Sequence, residues 1–182
     1  MNLEWNAARD YPQVAVTAYV HSTAVLVGKV RIGQKVYVGP NAVIRADEPG
    51  EDGTVKPIVI GDESNIQDGV VIHALGGTGV TIGRRTSIAH GAVVHGPCEI
   101  GTNGFVGFNT VIFNATLGEG IVVMHQAFME GVTVPDGLHV PSMTSIRREE
   151  DASRLRSATP DVKAFAEKVR LTNTYLVMSS KQ

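Results

Sequence analysis

The sequence has one cysteine in 182 residues, only 5% aromatic residues, and no run approaching the roughly 20 consecutive apolar residues that a membrane-spanning helix needs. Each shortage removes a class. A single cysteine forms no intramolecular disulfide and rules out a four-cysteine zinc site. With 16 basic and 18 acidic residues the net charge is -2, so there is no electrostatic reason to expect nucleic acid or a membrane surface as partner. Residues Met1 to Asp10 lack the basic segment followed by an apolar run that marks a secretory leader, and a cytoplasmic protein is expected. What is plentiful is equally telling: 26 valines, 12 isoleucines and 20 glycines in a chain that is 43% hydrophobic. That is enough apolar material for one buried core with a terminal appendage.

A period of six explains the mixture. Aliphatic residues fall at Val20, Leu26, Ile32, Val38 and Ile44, resume at Ile60, Ile66 and Ile72, and continue through Ile82, Ile88, Val94, Ile100, Val106 and Ile112. Four positions after these, most residues are small or β-branched, such as Ala42, Ser64, Thr86, Ala92, Cys98 and Thr110. Glycine often follows the aliphatic residue directly, as at Gly61, Gly83 and Gly101. A hexapeptide supplies one short strand and one turn, so three make a triangular coil that stacks on the next at the ~4.8 Å strand spacing. Rings do not fit inside so narrow a prism, and Cys98 falls in an inward slot as a core residue. Near Leu117 the phase slips by one residue.

The β-helix is expected over residues 1–146, closing at Val134-Pro135-Asp136-Gly137 and Val140-Pro141. A helical segment is expected over 147–182, with a short charged helix followed by a longer one starting at Thr159-Pro160-Asp161. Val162, Phe165, Ala166, Val169, Leu171, Tyr175, Leu176 and Met178 recur at roughly helical spacing, an apolar stripe expected to bury against the prism.

The repeat also places the six histidines. Discounting a four-residue turn at Gly76-Gly77-Thr78-Gly79 leaves His73 and His95 one full coil apart, stacked on one face, as two imidazoles sharing a metal ion require. His90 lies on the preceding face and does not reach that ion within its own chain. A threefold arrangement of prisms brings it to the His73 and His95 face of a neighbour. Counting back puts Arg45 in the same column, with Asp68 below His90 and Gln67 beside it. An Arg45–Asp68 ion pair across the subunit boundary and a Gln67 near the metal-bound ligand are therefore expected. Three neutral ligands leave a coordination position for water, whose pKa a zinc ion lowers to about 7. Cobalt or iron(II) suits the same imidazoles. His125 follows Val123 as His90 follows Ile88, but stands two coils away with no evident partner; His21 and His139 read as surface residues.

Three segments carry a resemblance: Ile44-Arg45-Ala46-Asp47-Glu48, Asn65-Ile66-Gln67-Asp68-Gly69-Val70-Val71-Ile72-His73, and Ala89-His90-Gly91-Ala92-Val93-Val94-His95-Gly96-Pro97. Together they resemble the gamma-class carbonic anhydrases over nearly the whole chain. The resemblance implies a left-handed parallel β-helix with a C-terminal helix packed on it, assembled as a homotrimer. It implies zinc held by His73, His90 and His95 between subunits, and reversible hydration of carbon dioxide to bicarbonate. Gln67 and Glu48 match residues that contact the bound water or bicarbonate. Arg45, Asp47 and Asp68 match interface ion pairs, and Asn173 matches a helix asparagine lining the site. Independently of the resemblance, Glu48 is a charged residue in a repeat slot that otherwise takes small or apolar side chains.

One departure concerns proton export. The acidic loop that follows the first metal histidine in the archaeal type is replaced here by Ala74-Leu75-Gly76-Gly77-Thr78-Gly79, which holds no carboxylate. Turnover is expected to be low unless Glu51 or Asp52, in the other interruption, substitutes as proton shuttle. Two other functions compete: a hexapeptide-repeat acyl-CoA thioesterase or hydrolase, with Arg84 and Arg85 toward the phosphates, and a non-enzymatic trimeric scaffold.

Overall fold

A computed structural model describes residues 2–179. The chain winds as a parallel β-solenoid of about seven coils with three faces, and a long helix lies along one of them. Face one is built from Asn2–Glu4, Val25–Gly28, Val43–Ala46 and Val71–Ala74, then from the first halves of Val93–Ile100 and Val111–Leu117. Those two long strands bend across a corner into face two, which begins with Gln13–Val14, Val30–Ile32, Ile58–Ile60 and Val80–Ile82. Face three stacks Tyr19–Val20, Tyr37–Val38, Asn65–Ile66, Ser87–Ile88, Phe105–Val106, Val122–Val123 and Leu138–Val140.

Stacking puts like on like. On face one, Leu26, Ile44, Ile72, Val94, Ile112, Met129 and Ile146 are in register from coil to coil and buried inside the prism. The buried cluster inside the prism contains no aromatic ring; Phe105 is fully buried, but outside, beneath the long helix. Inward hydroxyls are not orphaned. Ser64 donates to the Gly83 carbonyl at 2.8 Å, Thr86 to Gly101 at 2.8 Å and Thr110 to Met124 at 3.0 Å, each bonding the next coil. The glycines after the aliphatic residues answer a close approach rather than a turn: a Cβ at Gly83 would stand 2.6 Å from the backbone carbon of Gly101. Left-handed backbone recurs instead at a corner, where Asn41, Gly69, Gly91 and Asn109 occupy equivalent slots with φ between 53° and 69°.

The three outer faces differ in chemistry. Face two presents Arg31, Val59, Thr81, Glu99, Thr116 and Thr133 to solvent. Face three is covered by α2 (Pro160–Ser179), which packs on its strands. Face one carries an uncovered outward ladder of Val25, Val43, Val71, Val93, Val111 and Phe128, in register over six coils.

The phase slip falls just before Leu117, as expected: Ile112 to Leu117 spans five residues where Val94 to Ile100 spans six, so His95 pairs with Phe113, a step of 18 residues, and Cys98 with Ala115, a step of 17. Other expectations shift in detail. Beyond the prism, α1 is the short helix Glu149–Ser153, and Arg156–Ser157 then pairs antiparallel with Leu138–Val140. In α2 only part of the expected stripe is buried. Val162, Ala166 and Val169 pack on face three, joined by Asn173 and Val177. Leu171, Tyr175 and Met178, in contrast, are more than half exposed, because at 100° per residue they fall on the opposite side of the helix. The expected helical segment runs to residue 182; Ser180, Lys181 and Gln182 lie outside the described residues.

Cys98 is buried in the prism, and burial pushes its thiol pKa up. A thiol reagent at pH 8 is expected to leave the native protein unlabelled and to modify one site after unfolding in denaturant. Gly83→Ala is expected to lower stability by about 1–3 kcal/mol, read as a reduced urea midpoint, because the contacted atoms belong to rigid backbone.

Candidate metal centre

Two groups of functional side chains stand on different parts of the prism. On face one, Arg45, His73 and His95 are paired in register, forming the outward column expected from the repeat. His73 Nδ1 lies 3.3 Å from His95 Nε2. Two nitrogens each ~2.0 Å from one ion at a tetrahedral angle are about 3.3 Å apart, so the pair fits two ligands of a zinc-type ion. His95 Nδ1–H donates to the Gly96 carbonyl at 3.2 Å, which keeps the Nε2 lone pair free for a ligand bond. On the other side, His73 Nε2 meets Asp47 Oδ1 at 3.1 Å and Glu48 Oε1 at 3.5 Å. Asp47 in turn holds Arg45, through Nη2 at 2.9 Å and Nε at 3.0 Å.

The chain leaves the coil after Ala46, and this corrects the position assigned to Glu48. It is an exposed loop residue rather than the occupant of an inward slot, with Oε2 accepting from the Gly76 N–H at 3.2 Å. The loops around residues 49–53 and 75–79 touch, since a Cβ at Gly50 would come within 2.8 Å of the Gly77 Cα. In the first of them, Asp52 accepts from both the backbone N–H and the hydroxyl of Thr54, and these hydrogen bonds hold its carboxyl below the usual range.

The second group lies at the corner between face three and face one. Asp68 sits one coil below His90: the Gly91 N–H donates to the Asp68 carbonyl at 3.0 Å, and Asp68 Oδ2 is 3.5 Å from His90 Nδ1. Gln67 is buried, its Nε2 donating to Asn65 Oδ1 at 2.9 Å, while Asn65 Nδ2 donates to Ser87 Oγ at 2.7 Å. Asn173 reaches the same place from α2, with Nδ2 on the Val169 carbonyl at 3.0 Å. A cavity of about 440 Å³ opens here, lined by Gln67, His90, Phe108, Phe165, Asn173 and Leu176 among others. Tyr37 also lines it, its phenol pKa raised by burial first and then by Asp68 and Tyr19.

Among the described residues, no three His, Cys, Asp or Glu side chains of one chain gather to hold a metal. His73 and His95 come together, and His90 stands with the other group. Arg45 is engaged by Asp47 of its own chain. Sequence reasoning missed three features. Asn65 fixes Gln67, a role signalled only by a polar residue in an outward slot that α2 covers. His125 is not partnerless: its ring stacks on Phe108 at 4.3 Å and 14°. His139 is less exposed than a surface residue, its Nε2 buried with no hydrogen-bond partner among the described residues. Arg84 and Arg85 line a small hollow with Asp62 and Glu63.

Asn65→Ala is expected to leave Gln67 without its buried acceptor, costing about 1–3 kcal/mol in a denaturation experiment.

No protein-family model matches the chain. It is 34% identical over 176 residues to a protein named carbonic anhydrase from Methanosarcina thermophila, a match covering 86% of this chain and 69% of that protein. It is 38% identical over 175 residues to the carboxysome assembly protein CcmM of a Nostoc species, covering 91% of this chain, and 43% identical over 171 residues to CcmM of a Synechocystis species. The chain spans 30% and 23% of the length of those two relatives. A solved hexapeptide transferase family protein from Anaplasma phagocytophilum superposes with a TM-score of 0.81 at 24% identity, covering 98% of this chain and 97% of that one, a likeness of fold. With the histidine columns in register and identity extending over most of both chains, this chain belongs to the gamma-class carbonic anhydrase-like family of hexapeptide-repeat proteins.

Proposed function

We propose that the protein is a homotrimeric, metal-dependent carbonic anhydrase that hydrates carbon dioxide reversibly to bicarbonate at sites between subunits. The observation that carries this reading is the 3.3 Å approach of His73 and His95 on face one, with His90 held apart at a corner that cannot complete the set within one chain. The outward valine ladder supports the assembly. An apolar sheet face that no element among the described residues covers favours burial against another surface, and the histidine pair lies on that same face.

His73, His95 and the neighbouring subunit's copy of His90 would hold the ion, zinc, cobalt or iron(II) all suiting imidazole. A zinc ion so held would lower the pKa of a bound water to about 7, supplying a hydroxide nucleophile at neutral pH. The chain's own residues do the rest. Phe108, Phe165 and Leu176 form an apolar wall that would suit an uncharged linear substrate. Gln67, fixed through its Nε2 by Asn65, and Asn173 orient polar oxygens at the edge of that wall. Glu48, beside His73, is placed to accept a proton, and Arg45 and Asp68 are of opposite charge on the two surfaces that would meet.

A second reading is a trimeric scaffold, favoured by relatives that carry the name carboxysome assembly protein. Stopped-flow carbon dioxide hydration on trimer of measured metal content separates the two. The catalytic reading expects turnover that His90→Ala abolishes together with bound metal; fully metallated trimer with no turnover would leave the scaffold.

Proton export is expected to depend on Glu51 rather than Asp52. The Thr54 hydrogen bonds that depress the Asp52 pKa favour its ionised form, a poor match to a donor and acceptor working near pH 7. Asp52→Asn should leave turnover in dilute buffer unchanged, and Glu51→Gln should lower it several-fold with recovery in concentrated buffer.

A further inference from the structure

The corner that carries His90 continues upward as a column of side chains in equivalent slots: Asp68, His90, Phe108, His125 and Ser142. Each step is a contact. Asp68 Oδ2 stands 3.5 Å from His90 Nδ1, and the His90 and Phe108 ring centroids are 5.4 Å apart, tilted by 38°. Phe108 and His125 stack nearly parallel, with centroids 4.3 Å apart. The Ser142 hydroxyl oxygen then accepts from the His125 backbone N–H at 3.3 Å. The Phe108–His125 pair is joined twice, because the Phe108 backbone N–H also donates to His125 Nδ1 at 3.1 Å. A backbone N–H can only donate, so Nδ1 is the unprotonated nitrogen and the proton sits on Nε2. Phe165 of α2 and Phe105 of face three close around His125 edge-on, each with its centroid at 6.4 Å.

His90 needs such support. Its side chain is 53% exposed, and it does not share the metal-facing column that steadies His73 and His95 by direct contact. An exposed imidazole that must meet a neighbour's ion binds more tightly when its rotamer is fixed beforehand. Below, Asp68 meets its Nδ1; above, Phe108 limits its swing, and Phe108 is itself held through both ring and backbone by His125.

We infer that His125 is a positioning residue for the metal centre, acting through Phe108 to orient His90 toward the neighbouring subunit. The inference rests on the reading of His90 as a ligand. It gives the column a purpose that hexapeptide stacking alone does not require, since a small or polar residue in the His125 slot would satisfy the coil.

The test measures zinc dissociation constants by chelator competition on intact trimer for parent, His90→Ala, His125→Ala, His125→Phe and, as control, His21→Ala, with the melting temperature of each metal-free protein. The expected result is zinc affinity about ten- to a hundredfold weaker in His125→Ala, the range seen when a residue supporting a metal ligand is removed. His125→Phe, which keeps the stack and loses the acceptor, should fall between this variant and the parent, and His21→Ala should match the parent. Zinc affinity within twofold of the parent in His125→Ala, whatever its melting temperature, would overturn the inference while leaving the site reading in place. If His125→Ala does not assemble, parent-like affinity in His125→Phe overturns the requirement for the hydrogen bond. Parent and His90→Ala binding zinc equally would instead remove the site reading, and the inference with it.

Discussion

Coil-on-coil stacking is the constraint on which everything else depends. Parallel strands about 4.8 Å apart lock each residue to the one a coil above and below, and the prism is wide enough for one aliphatic side chain per face. A slip of one residue on face one would turn Ile72 and Val94 outward and carry His73 and His95 into the core. The burial of Leu26, Ile44, Ile72, Val94 and Ile112 therefore fixes the angular position of the histidines as firmly as it fixes the fold. The placement of the histidines and the stability of the fold share one set of contacts.

The same narrowness directs chemistry outward. A core filled by one column per face turns most of the polar and ionisable side chains to the three outer faces, which differ in chemistry. Face two is polar and faces water. Face three is roofed by α2, which shields Asn65, Ser87 and Phe105 and creates the cavity beside His90. Face one carries the valine ladder and the histidine pair. A cavity on one surface and a histidine pair on another would be complementary halves in the proposed trimer, where threefold closure would bring them together.

Much of this was legible in one dimension because stacking converts sequence separation into spatial position. Arg45, His73 and His95 could be aligned by counting, once the two loops were discounted, and Cys98 could be assigned to the core. Counting failed where the coil does. Glu48 lies beyond the last paired residue of its strand, so its repeat slot carried no meaning. The register shift between His95 and Cys98 made the next coil 17 residues long, which blurred the upper columns where His125 stands. The outer side of α2, with Leu171, Tyr175 and Met178 exposed, was unreadable because apolar residues surround that helix and only packing shows which side meets the prism.

The sequence by itself determined the period, the inward aliphatic columns, the absence of rings from the core and the pairing of His73 with His95, since all follow from a repeat that permits one register. Tertiary structure decided what lies across from what. The seating of α2 on face three and the Asp47 contact to His73 join segments whose separations obey no repeat, while the hydrogen bonds of Asn65 with Ser87 and Gln67 and the stacking of His125 on Phe108 depend on side-chain orientations that the repeat leaves open. The non-repeating contacts arise when a helix settles on a finished surface or when the chain leaves the coil, as it does at Asp47.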